Sequence, residues 1–125
     1  MAVKVVDASA LAALLFDEPE AKAVADRLAD GHLVAPALLS FEIASVCLKK
    51  PRNHPQQREA LLAARALCAR MPIEIVEVDQ ADAVQLAEAF GLSSYDAAYL
   101  WVAQTLAAEL VTLDRRLQTA GAARH

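Results

Sequence analysis

Cysteine is scarce in this chain. Cys47 and Cys68 are the only two in 125 residues, in no CxxC or Cys/His zinc spacing, which argues against a disulfide framework or a structural zinc site. Both fall in apolar helical stretches and read as buried free thiols. Basic charge is not in excess either. Lys and Arg number 12 against 16 Asp and Glu, for a formal net charge of -4 and a pI near 5.3. That balance argues against a general polyanion binder, although a carboxylate cluster that holds metal would itself add negative charge. No uninterrupted apolar stretch is long enough to span a bilayer. Asp7 interrupts the N-terminal apolar segment too early for a signal peptide, so a cytoplasmic protein is expected. His32, His54 and His125 share no spacing that suggests a metal triad or a catalytic pair, and there is no internal repeat, low-complexity tract or linker.

What is present is apolar and small. The hydrophobic share is 57%, much of it alanine, beside an ordinary charged share of 22%. This is the balance of a helix-rich globular protein with tight helix packing and some apolar surface left for a partner. The length suits one domain, residues 1–125, able to bury a core without cross-links. Residues 2–6 are a β-branched run that reads as a buried strand. Residues 8–16 read as a helix, broken at Asp17-Glu18-Pro19-Glu20, where Pro19 suits the first turn of a second helix reaching Ala29 and stopping near Gly31. Further strands are predicted at 32–35, 73–78 and 110–113, and helices at 36–50, 56–70, 79–90, 95–106 and 114–120, with the clearest loop at 51–55. Helices alternating with short apolar strands predict a three-layer α/β/α sandwich around a short, mainly parallel sheet of four or five strands.

Four acids stand where that chain changes structure. Asp7 lies just past the first strand and Asp114 just past the last, Asp96 lies in the first turn of a helix, and Glu42 lies inside an otherwise apolar one. In a parallel sheet, ligands gather beyond the carboxyl ends of the strands, near the switch point in strand order. If the strands are neighbours, the acids meet there, and the usual counter-charge for gathered carboxylates is a hard divalent cation. Thr112 and Asp114 are two apart and share a direction if the strand extends that far. Ser9 starts a helix whose free N–H groups favour an anion. Structural explanations compete: Asp7 and Asp114 fit helix N-caps, and Ser93-Ser94-Tyr95-Asp96 fits a capping box. Glu42, among Leu38, Leu39, Phe41, Ile43, Ala44 and Val46, has less of a structural explanation, and a salt bridge from Lys49, Lys50 or an arginine is its alternative. Arg115 and Arg116 either contact phosphates near a metal or lie on a solvated helix face. Tyr95, Tyr99 and Trp101 either stack on bases or pack in the core or on a partner, and packing is favoured.

The segments Val5-Val6-Asp7-Ala8-Ser9-Ala10-Leu11, Ser40-Phe41-Glu42-Ile43-Ala44, Ser93-Ser94-Tyr95-Asp96-Ala97-Ala98-Tyr99 and Leu110-Val111-Thr112-Leu113-Asp114-Arg115-Arg116-Leu117 resemble the PIN-domain ribonucleases. Within that family the resemblance is to the VapC toxins of bacterial toxin–antitoxin pairs, and it spans nearly the whole chain in order and spacing. It implies that Asp7, Glu42, Asp96 and Asp114 are catalytic acids that bind Mg²⁺, with Mn²⁺ as a substitute, and that Ser9 and Thr112 support the site by hydrogen bonds. Ser45 stands where many relatives carry Asn, and Arg115 and Arg116 stand where some carry a further acid; these departures bear on how many metals are held.

By the same resemblance the chain is a metal-dependent endoribonuclease that cuts structured RNA such as tRNA or rRNA. The cation would polarise the scissile phosphate and activate the attacking water, so no histidine base or serine nucleophile is needed. A VapB-like antitoxin would wrap the toxin and cover the acidic site, with helices 8–30 and 36–50 as its apolar contacts. A homodimer or a toxin–antitoxin hetero-oligomer is implied. Two other readings compete. A phosphatase of the haloacid-dehalogenase type would want a second acid where Ser9 stands, and a receiver domain would want paired acids near the N-terminus. A catalytically silent PIN-like binding module would not need all four acids.

Overall fold

The computed structural model describes residues 2–49 and 55–123. Strand β1 (Val3–Val6) lies inside a four-stranded sheet in the order β3-β2-β1-β4, with β2 at His32–Ala35, β3 at Ile73–Ile75 and β4 at Glu109–Val111. Every neighbouring pair is parallel, with Val5 opposite Val34 on one side and Leu110 on the other. A short valine run suits this place, because a strand covered on both faces needs apolar side chains on both. Val5 and Val6 are fully buried.

Among the described residues seven helices cover the sheet: α1 (Ala8–Leu15), α2 (Ala21–Leu28), α3 (Leu38–Lys49), α4 (Pro55–Arg70), α5 (Gln80–Phe90), α6 (Ser94–Thr105) and α7 (Arg115–Ala122). The chain steps from β1 to β2 to β3 in one direction, so right-handed crossovers put α1 to α4 on one face, where α1 packs on α2, α3 and α4. It then returns past β2 and β1 to place β4 on the far side. That return puts α5 and α6 on the opposite face, with α6 against β1, β4, α5 and α7. The result is the expected three-layer sandwich. α6 is buried over Ala97 to Leu100 and again at Val102 and Ala103, as befits a central helix that is apolar around most of its circumference.

The boundaries differ from the expectation where caps compete with strands. β3 stops at Ile75 instead of residue 78, because the chain leaves the sheet to let Asp79 cap α5 by accepting from the backbone N–H of Asp82. β4 stops at Val111, because Thr112 and Asp114 are engaged at the turn into α7. Pro19 lies outside α2 instead of in its first turn. Asp17 adopts a left-handed φ of 50°, and the reversal uses the chain as far as Glu20 before the helix begins. Of the loop expected at 51–55, residues 51–54 lie outside the described residues, and Pro55 already belongs to α4. Among the described residues, no helix is long and apolar enough to cross a membrane.

The strand order reverses between β1 and β4. That crevice, at the carboxyl ends of both strands, is where a parallel α/β sheet offers a ligand site.

Candidate metal centre

Asp7 is the residue on which the site is built. Its backbone N–H bonds to the Val111 carbonyl at 3.2 Å, carrying the β1–β4 ladder one step past the strand. Its carboxylate is buried and caps α1. Oδ1 accepts from the Ala10 backbone N–H at 3.0 Å and from Ser9 Oγ at 2.8 Å, while Oδ2 accepts from Thr112 Oγ1 at 2.5 Å. The fully buried Thr112 hydroxyl accepts in turn from the Asp114 backbone N–H at 3.0 Å. Ser9 Oγ accepts from the Leu113 backbone N–H at 2.9 Å and lies 3.3 Å from Thr112 Oγ1. Ser9 and Thr112 therefore tie the β1–α1 junction to the β4–α7 junction, with Asp7 between them.

The other three acids arrive from three more elements. Asp114 caps α7 by accepting from the Leu117 backbone N–H at 3.0 Å. Asp96 lies in the first turn of α6, where the Ser93 hydroxyl accepts from its backbone N–H at 3.0 Å and also favours its charged carboxylate. Glu42, on α3, is half-buried, and its Oε1 accepts from the Tyr99 hydroxyl at 2.5 Å. Among the described residues no cation pairs with Glu42; the phenol occupies the place where a salt bridge was the alternative.

The acids feel one another. Burial raises the pKa of Asp7, and the charge of Asp114 adds to this against the opposing hydrogen bonds from Thr112, Ala10 and Ser9. Burial likewise raises Glu42, with further upward pressure from Asp96 and Asp7 and relief from Tyr99. Asp96 is raised by burial and then by Asp114 and Asp7. The four acids thus form one electrostatic cluster assembled from four separate chain segments. Capping and clustering are compatible, because a carboxylate offers more lone pairs than a cap uses.

A stability prediction follows from the direction of these shifts. For an acid whose native pKa is raised, falling pH protonates the native state before the unfolded chain. Stability then grows as pH falls through the elevated values, and the gain levels off at the ordinary ones. The metal-free protein should therefore gain resistance to urea as pH falls from neutral toward the ordinary carboxylate range. Flat or falling resistance over that interval would contradict the raised values, which burial causes first and the neighbouring charges add to. Glu109 does not offset the effect. Its pKa is lowered, chiefly by the hydrogen bond from Arg27 and also by Lys4, so its contribution is lost only on acidification below the ordinary carboxylate range.

The donor set is carboxylate and hydroxyl oxygen throughout, which suits a hard divalent cation and neither zinc nor copper. Among the described residues no group of three or more His, Cys, Asp or Glu side chains is arranged to hold a metal ion. Mg²⁺ does not require one, since it keeps several waters and is commonly held through one or two carboxylates. The residues present fit such an ion.

Arg116 is exposed and reaches the Gly91 carbonyl at 3.4 Å, near enough to Asp96 to favour that acid's charge. Arg115 is exposed and has no such link to the acids. The aromatic residues divide. Tyr95 is 64% exposed, Trp101 is half-buried with its indole N–H toward Asp82, and Tyr99 is buried. Sequence reasoning grouped Tyr99 with core packing and missed its bond to Glu42. The available signal was its spacing of three from Asp96, which puts both on one helix face. His32 pairs with Glu74 at 3.1 Å, whereas His54 and His125 lie outside the described residues. Cys47 is buried as expected, but Cys68 is only half-buried.

Asp7 and Asp114 stand just past the carboxyl ends of neighbouring parallel strands, and the fold is of nuclease type. The PIN domain profile matches residues 4–123, and the chain belongs to that family, whose members are in general metal-dependent nucleases. Among solved structures the fold is similar to PAE2754 from Pyrobaculum aerophilum, at 26% identity and a TM-score of 0.76 over 97% of this chain and 81% of that one. No curated protein sequence matches the chain.

Proposed function

We propose that the chain is a Mg²⁺- or Mn²⁺-dependent endoribonuclease that acts in the cytoplasm as the toxin of a type II toxin–antitoxin pair. The observation that carries the nuclease reading is the convergence of Asp7, Glu42, Asp96 and Asp114 from four elements on the β1–β4 switch point, each raising or feeling the charge of another.

The four acids would hold the cation, one or two of them directly and the others through the waters it retains. When bound, it supplies Lewis-acid polarisation of a phosphate oxygen and activation of water. The chain's own residues supply position. Ser9 and Thr112 fix both oxygens of Asp7, and the cap of α6 fixes the backbone that carries Asp96. Asp114 is held by its own capping bond to α7. Arg116 offers a cation at the rim for an RNA phosphate. This division of labour needs no histidine.

A VapB-like antitoxin is the proposed partner. Phe41 and Leu48, 77% and 66% exposed and seven residues apart on α3, form an apolar stripe beginning next to Glu42, which supports α3 as a contact surface. On α1, Ala10, Leu11, Ala12 and Ala13 are buried in the core, which favours α3 as the main surface. A homodimer is proposed alongside the toxin–antitoxin complex, and structured RNA such as tRNA or rRNA is the proposed substrate. Incubation of the purified chain with such RNAs tests the activity. Internal cleavage should appear with Mg²⁺ or Mn²⁺ and vanish with EDTA; cleavage indifferent to chelation would refute metal dependence.

A further inference from the structure

Tyr99 is among the largest side chains that are fully buried, with 1% of its surface exposed. A buried phenol requires a hydrogen-bond partner, and a nearby backbone carbonyl would serve for packing alone. Here the hydroxyl instead donates at 2.5 Å to Glu42, an acid carried by a helix from the opposite layer of the sandwich. The bond crosses the end of the sheet. It joins α6, the central helix, to α3, whose acid would otherwise swing on three side-chain torsions.

The placement of the two residues on α6 gives the bond its consequence. Asp96 and Tyr99 are one turn apart on the same face. α6 therefore presents one acid of the cluster directly and grips a second through the phenol. Glu42 faces the negative charges of Asp96 and Asp7, and like charges at close range push a mobile carboxylate away. A donor on Oε1 opposes that displacement. Among the described residues no donor reaches Oε2, which stays open to another partner.

We propose that Tyr99 is a positioning residue: its phenol, reaching across the sandwich from α6, holds the Glu42 carboxylate in the acid cluster and thereby sets the cluster's affinity for a divalent cation. This rests on reading the four acids as a metal site. Removing the partner that orients a ligand typically costs 10- to 100-fold in metal affinity or activity.

The test is Mn²⁺ affinity, measured by titration calorimetry on the RNA-free protein for wild type, Tyr99→Phe and Leu100→Val. Leu100 neighbours Tyr99 on the same helix, is equally buried, and has no polar atom to offer Glu42. Tyr99→Phe should weaken Mn²⁺ binding about tenfold or more, and should lower kcat for RNA cleavage with KM little changed. Leu100→Val should lower the melting temperature yet leave Mn²⁺ affinity as in wild type. Unchanged affinity in Tyr99→Phe overturns the positioning role, and so does an equal loss in both variants, since destabilisation alone would then explain it. Wild-type protein that binds no Mn²⁺ overturns the metal-site reading itself, an outcome plainly separable from the other two.

Discussion

Asp7→Asn is expected to abolish RNA cleavage while leaving the metal-free fold at least as stable as wild type. A bound cation contributes several kcal/mol of transition-state stabilisation, so its loss corresponds to about a thousandfold in rate. The stability half of the prediction comes from the hydrogen bonds. Asparagine is as good an N-cap as aspartate, and its carbonyl oxygen can keep the bonds from Ala10 and Ser9. The amide would face Thr112 Oγ1, which can accept from it and turn its own proton to Ser9 Oγ, 3.3 Å away. The Ser9 and Thr112 hydroxyls and the Ala10 N–H thus keep their partners, and one buried charge is removed from beside Asp114, Glu42 and Asp96. Thermal melting in EDTA should give an equal or higher Tm. A marked fall in Tm would mean that Asp7 is chiefly a cap and that the lost cleavage is a consequence of unfolding.

Thr112→Val should have the opposite profile, a large loss of stability from a change that hardly alters shape. The hydroxyl is fully buried, donates to Asp7 Oδ2 and accepts from the Asp114 N–H. Valine fills the space but can do neither. It strips a buried carboxylate oxygen of its donor and leaves the Asp114 N–H without its acceptor. A hydrogen bond to a charged group contributes about 1.5–3 kcal/mol and an unsatisfied buried group costs about 1–3 kcal/mol, so a loss of roughly 2–4 kcal/mol is expected in urea unfolding at neutral pH. The deficit should narrow on acidification. Without the Thr112 donor the native pKa of Asp7 rises further, and protonation relieves the variant more than wild type. A deficit well under 1 kcal/mol at neutral pH would show that the network is not holding the junction together.

Much of this was legible in the sequence, for identifiable reasons. The valines of β1, the proline ahead of α3, the Asp79 and Ser93 caps and Gly91 after α5 are local signals, and the elements follow them. The alternation of helix and strand predicts the layers, and the acids just past the first and last strands mark the carboxyl edge of the sheet. What escaped was set by tertiary partners. The true ends of β3 and β4 depend on caps that draw the chain out of the sheet, and strand propensity alone reads on through them. The partner of Glu42 is 57 residues away in sequence, on the other helical layer, and no local pattern announces it. Asp7 shows the converse: in sequence the cap and the ligand are alternatives, whereas in the structure one carboxylate caps α1 and feels the charge of Asp114.

The central claim is that the four acids act together on one cation, and direct Mn²⁺ titration of wild type beside Glu42→Gln tests it most simply. Glu42 caps no helix and pairs with no cation among the described residues, so its charge matters chiefly if the cluster binds metal. Wild type should bind Mn²⁺ and gain thermal stability with its concentration, as any ligand selective for the native state confers. Glu42→Gln should stay folded and lose most of that affinity. Mn²⁺ binding of equal strength in both proteins would contradict the account.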